Sequence, residues 1–124
     1  MQPTMVRTIL TALLLTTAFG AFAQRPDFEP IDNDAMAATA AKHMKEVDRL
    51  VDLSAEQEPQ VQAVYMQVER HYQALAYRMQ GQPKEDVEAD MKSQEVAIGQ
   101  YIDRELEKVL TPAQMYTWRE RSKQ

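Results

Sequence analysis

Apolar residues recur at three- and four-residue spacing in separate runs of the chain, with polar positions on the opposite side of each run. From Asp34 to Asp52, the residues Met36, Ala40, Met44, Val47 and Val51 trace one stripe at helical period. From Ser54 to about Gln80, Val61, Val64, Tyr65, Val68, Tyr72, Leu75, Ala76 and Met79 trace a longer stripe without a break. A third stripe, from Pro83 to Val109, uses Val87, Met91, Ile98, Tyr101, Ile102, Leu106 and Val109. Gln94 and Glu105 interrupt it, so that face is only partly dry. Met115 and Trp118 mark a short fourth segment. The pattern predicts an all-α chain of about four helices. Gly81-Gln82-Pro83 closes the second helix with a left-handed cap and a stop, and so short a connection makes helices two and three an antiparallel hairpin.

The helix ends carry their own signals. Asp32, Asn33 and Asp34 are N-cap candidates for the first helix. Two stretches, Leu53-Ser54-Ala55-Glu56-Gln57 and Leu110-Thr111-Pro112-Ala113-Gln114, repeat one pattern: Leu, a hydroxyl residue, two spacers and Gln. Each predicts a capping box, in which the hydroxyl accepts from the third helical N–H and the Gln reaches back to the cap's own N–H. In the second copy Pro112 sits where a missing N–H costs nothing, and Leu110 and Met115 occupy the positions of a hydrophobic staple. In the first copy Pro59 removes an interior hydrogen bond, which predicts a bend or a short 3₁₀ start. Acidic Glu85, Asp86, Glu88 and Asp90 open the third helix, and basic Arg119, Arg121 and Lys123 close the fourth, both as the helix dipole favours.

Two helix faces are candidates for contact. Lys42, Lys45 and Arg49 cluster opposite the apolar stripe of the first helix. Such a strip is either a solvated face or a contact surface for acidic or polar segments of another protein. On the second helix Ala63, Met66, Arg70, Ala74 and Tyr77 align opposite the main stripe. They read either as scattered surface apolars or as a dimer or ligand surface.

Composition narrows the address. Residues 1–23 carry Arg7, an apolar run and Ala21-Phe22-Ala23 before Gln24, which predicts a cleaved export signal. Residues 24–32, with Pro26 and Pro30, predict an extended, mobile leader, leaving 33–124 as one helical domain. The net charge is −5, and losing the signal removes one Arg and no acid. That balance argues against a nucleic-acid partner. There is no cysteine, so a small exported domain must rely on helix packing or a partner chain, which predicts an elongated hairpin completed by dimerisation.

No catalytic constellation is present: no Cys nucleophile, no Gly-rich phosphate loop, and two histidines without motif partners. The chain therefore reads as no enzyme and calls for no cofactor. His43 and Glu46 form a possible helical pair, but the helical metal signatures are absent. Met36, Met44, Met79, Met91 and Met115 all fall on packing stripes, leaving only Met66 outside them, so no metal site is expected.

At Leu53, Ser54, Gln57 and at Leu110, Thr111, Gln114 the chain resembles the LTxxQ-motif family of exported helical proteins, the Spy/CpxP-like proteins. The resemblance implies an all-α, curved, antiparallel dimer in the periplasm. It also implies an ATP-independent chaperone of the envelope stress response that binds unfolded or partly folded clients. The alternative within the same resemblance is a regulatory or metal-sensing accessory protein docking on a membrane sensor kinase. Lys42, Lys45, Arg49, Met66, Arg70 and Tyr77 are then the candidate client-binding residues, while the two motifs are structural.

Overall fold

The computed structural model describes residues 28–123. The expected export signal, its cleavage point and leader residues 24–27 lie outside the described residues. The chain divides into two compact units between Pro30 and Ile31, and all four helices belong to the second. They are α1 (Asp34–Val51), α2 (Gln57–Arg78), α3 (Lys84–Val109) and α4 (Pro112–Ser122). The fold of the described residues is all-helical, as the periodicity predicts. None of these helices is long and apolar enough to cross a membrane.

Within this unit α1 packs on α2 and α4, and α3 packs on the same two helices, so the four close into a ring. The main core sits where the starts of α2 and α4 meet the later halves of α1 and α3: Ala40, Met44, Val47, Leu53, Val61, Tyr65, Leu106, Leu110 and Met115 are buried together. Both motif leucines are in it. Burying a Leu fully contributes roughly 1.5–3 kcal/mol, so Leu53 and Leu110 anchor the chain just before each helix start. A smaller cluster joins the far half of α2 to α3 through Val68, Leu75, Met79 and Ile98. Around it Tyr72, Val87, Met91 and Tyr101 are only half-buried, consistent with the interrupted stripe of α3.

The caps explain the boundaries. Asn33 accepts from the backbone N–H of Met36 at 2.9 Å and starts α1. Asp52 ends it in the left-handed region with φ 57, a conformation that Asp tolerates better than most residues. Gly81, at φ 78, turns the chain between α2 and α3.

Two details differ from the sequence expectation, and a third concerns the first motif. Ala76 is exposed, because the stripe of α2 is narrower than the row of small apolar residues along it. Pro83 is the N-cap of α3, with Lys84 as the first helical residue. In the first motif copy regular helix begins only at Gln57. Before it the Ser54 carbonyl accepts from the N–H groups of both Gln57 and Glu58 at 3.1 Å, a bifurcated first turn. The regular ladder starts only after this turn, because the N–H missing at Pro59 is the one an α-helix would have paired with Ala55; no separate 3₁₀ segment forms.

Candidate functional site

The two motifs meet. In each, the hydroxyl and the Gln form the expected reciprocal pair. Ser54 Oγ accepts from Gln57 N at 3.2 Å while Gln57 Oε1 accepts from Ser54 N at 3.0 Å. Thr111 Oγ1 accepts from Gln114 N at 3.2 Å while Gln114 Oε1 accepts from Thr111 N at 2.9 Å. Beyond this, the two Gln amides bond face to face. Gln57 Nε2 donates to Gln114 Oε1 at 2.8 Å, and Gln114 Nε2 donates to Gln57 Oε1 at 3.0 Å. Each Nε2 also donates to the carbonyl just before the other motif's Leu, that of Val109 or of Asp52, both at 3.1 Å. The amide orientations are fixed, because each Oε1 must face a backbone N–H. The result is a near-symmetric clasp joining the starts of α2 and α4. No reading of either copy by itself reveals it; the signal that could have is the identity of the two patterns.

Both side-chain amides, of Gln57 and Gln114, are fully engaged, and with Leu53, Ser54, Leu110 and Thr111 they join the starts of α2 and α4.

The candidate contact residues fall into two groups. Lys42, Lys45 and Arg49 are brought together on the outer side of α1, all exposed. With Ala38, Ala41 and Glu46 they line a shallow, open groove of about 550 Å³. The burial of Met36, Ala40, Met44 and Val47 fixes this rotation, since residues opposite a buried stripe face outward. None of the three cations enters an ion pair among the described residues, whereas Arg70, Arg78, Lys84, Lys108 and Arg119 do. Glu46, on the rim, is 3.7 Å from His43. The strip is thus an uncommitted positive surface over small apolar residues, on a chain with net negative charge.

Met66, Arg70 and Tyr77 lie on α2 and play different parts. Met66 is half-buried against the main core, so packing accounts for it. Tyr77 is 42 % exposed. Arg70 is held by Asp32: its Nε donates to Oδ1 and its Nη2 to Oδ2, both at 2.8 Å. This fork holds the Asp32 carboxyl below its ordinary 3.8 and raises the guanidinium, through the hydrogen bonds first. One turn on, Gln73 grips Ile31. Its Oε1 accepts from Ile31 N at 2.7 Å and its Nε2 donates to Ile31 O at 2.9 Å. Sequence reasoning missed Gln73, although it stands three residues after Arg70 and four before Tyr77 on one helical face.

The histidines are placed as packing groups. His43 stacks on Tyr65 with ring centroids 5.1 Å apart, and His71 Nε2 shares a hydrogen bond of 3.0 Å with Gln94 Oε1. Burial, reinforced by the Glu46 charge, pushes the Tyr65 hydroxyl up to about 12. Among the described residues no three His, Cys, Asp or Glu side chains gather as a metal set.

Comparison with known proteins found no matching family model, no matching curated protein and no matching solved structure.

Proposed function

We propose that this is a periplasmic, ATP-independent chaperone-like protein of the envelope stress response that holds unfolded or partly folded chains. The observation that carries the reading is the α1 strip, Lys42, Lys45 and Arg49 over Ala38 and Ala41, whose cationic side chains enter no ion pair among the described residues. Long cationic side chains combine a charged tip with an apolar stem, so they adapt to segments of varied sequence. An exposed ion pair is worth about 0.2–1 kcal/mol. Three such contacts therefore bind weakly and reversibly, as a protein that must release its clients requires. The repeated Leu-Ser/Thr-x-x-Gln pattern adds the address and the stress-response context by resemblance, and with it the expected homodimer.

The test is the light scattering of a denaturing client with and without an equimolar amount of the protein. Suppression by the wild type, and its loss on combining Lys42→Ser, Lys45→Ser and Arg49→Ser, is the expected result. No suppression of any of several clients refutes the reading. If the protein instead captures one membrane sensor at one-to-one stoichiometry and leaves all clients untouched, the accessory-protein alternative replaces it.

A further inference from the structure

The contacts that hold Ile31 and Asp32 on α2 recognise a peptide in a specific way. Gln73 spends both halves of its side-chain amide on the backbone of one residue, accepting the N–H of Ile31 and donating to its carbonyl. This reproduces with a side chain the pairing that one β-strand offers another. Arg70 then takes the carboxylate of the following residue with two parallel bonds. The Ile31 side chain takes no part in these bonds and is 74 % exposed. What is read is therefore the backbone N–H and carbonyl of one residue followed by an acid, with the first side chain left open. Gln67 Oε1 accepts from Arg70 Nη1 at 3.0 Å and aims the guanidinium, and Gln73 Nε2 also approaches Met36 Sδ at 3.5 Å. Both reading residues are therefore steadied from the side.

We infer that Arg70 and Gln73 form a binding site for extended acidic peptide segments, and that Ile31–Asp32 is its built-in occupant, displaced by an external segment of the same chemistry. This rests on the reading that the protein takes unstructured chains, and adds a second place where it does so and the sequence feature it prefers. The fit selects against proline at the first position, which lacks the N–H that Gln73 accepts, and for Asp at the second. A tethered occupant competes at a high effective concentration, so the site is reached only in the fraction of molecules whose own segment has lifted. If that segment is docked about nine-tenths of the time, external affinity is reduced roughly tenfold.

The experiment is fluorescence anisotropy of a labelled synthetic peptide with the sequence of residues 29–34, titrated with the protein. Asp32→Ala in the protein is expected to tighten binding about tenfold by weakening the occupant. Adding Arg70→Ala or Gln73→Ala to Asp32→Ala is expected to abolish binding, as is a peptide with Asn in place of its first Asp. Circular dichroism confirms that each variant keeps its helices, and Arg70→Lys, which keeps charge but loses the fork, is expected to bind weakly. Equal affinity for wild type and Asp32→Ala, or binding that survives loss of both Arg70 and Gln73, overturns the inference. The client-aggregation assay separates the two proposals: its failure alongside positive anisotropy removes the holding function and leaves the peptide site.

Discussion

Replacing Gln114 with Ala removes a side chain that makes four hydrogen bonds at once. Two are shared with Gln57, one caps Thr111 N, and one satisfies the Asp52 carbonyl. A net hydrogen bond contributes about 0.5–1.5 kcal/mol. Because this joint is only partly buried, water replaces some of what is lost, and the expected cost is about 2–3 kcal/mol. Gln57→Ala removes the equivalent four and is expected to cost the same. The two sets overlap in the face-to-face amide bonds, so the double variant loses six bonds rather than eight. Its destabilisation is therefore expected to fall short of the sum by the worth of the shared pair, about 1–2 kcal/mol. Thr111→Ala, a single lost cap, is expected to cost only about 1 kcal/mol. Urea denaturation of wild type, both single variants and the double variant measures all these values. Additivity within about 0.3–0.5 kcal/mol would refute the clasp and return each Gln to an independent capping box.

Other outcomes follow from individual residues. Tyr65 is neutral in the fold well above the pH at which it ionises when unfolded. Its contribution is complete below pH ~10 and is lost as pH rises through the folded value of about 12. Alkaline melting should show this as a loss of order 2–3 kcal/mol that Tyr65→Phe reduces; an unchanged alkaline profile in that variant contradicts the burial argument. Asp52 pays for a left-handed backbone at φ 57, so Asp52→Gly is expected to raise stability by about 0.5–1 kcal/mol in the same urea assay, with no gain counting against the assignment. The carboxyl of Asp32 is depressed by Arg70, so docking of residues 31–32 is complete above its ordinary 3.8 and is lost as pH falls through the lower folded value. The other titratable group acting on Arg70 is Tyr101, which ionises only far to the alkaline side. Hydrogen-exchange protection of the Ile31 amide is expected to fall in acid, and to be low already at neutral pH in Asp32→Asn.

Much of this architecture was legible in the sequence for a simple reason: helical periodicity and caps are local. The stripe Met36, Ala40, Met44, Val47 and the box at Thr111 and Gln114 need no knowledge of the rest of the chain, and both stand as read. The outward cations of α1 follow from the same geometry. What escaped were contacts whose partners are distant in sequence. Gln57 looked like a returning cap residue and is also half of a joint to Gln114. Arg70 looked like an available surface cation, and only the fold brings Asp32 onto it. Gln73 shared a helical face with Arg70 and Tyr77, but a Gln on a helix surface is ordinary until a backbone lies against it. Met66 stood outside the main stripe, yet the ring of four helices gives α2 neighbours on more than one side, and half-buries it.

The central claim is that unfolded chains seat on the cationic strip of α1. Photo-crosslinking measures this most directly, with a photoreactive residue placed singly at Ala41 in the groove, at Val96 on α3, or at Tyr116 on α4. Val96 and Tyr116 are 63 % and 69 % exposed and serve as apolar controls that are more accessible than half-buried Ala41. In the presence of a denaturing client, adducts are expected from Ala41 and not from Val96 or Tyr116, and they should fade as salt screens the strip. Adducts from Val96 and Tyr116 as frequent as those from Ala41, or none from Ala41 while aggregation is still suppressed, would contradict it.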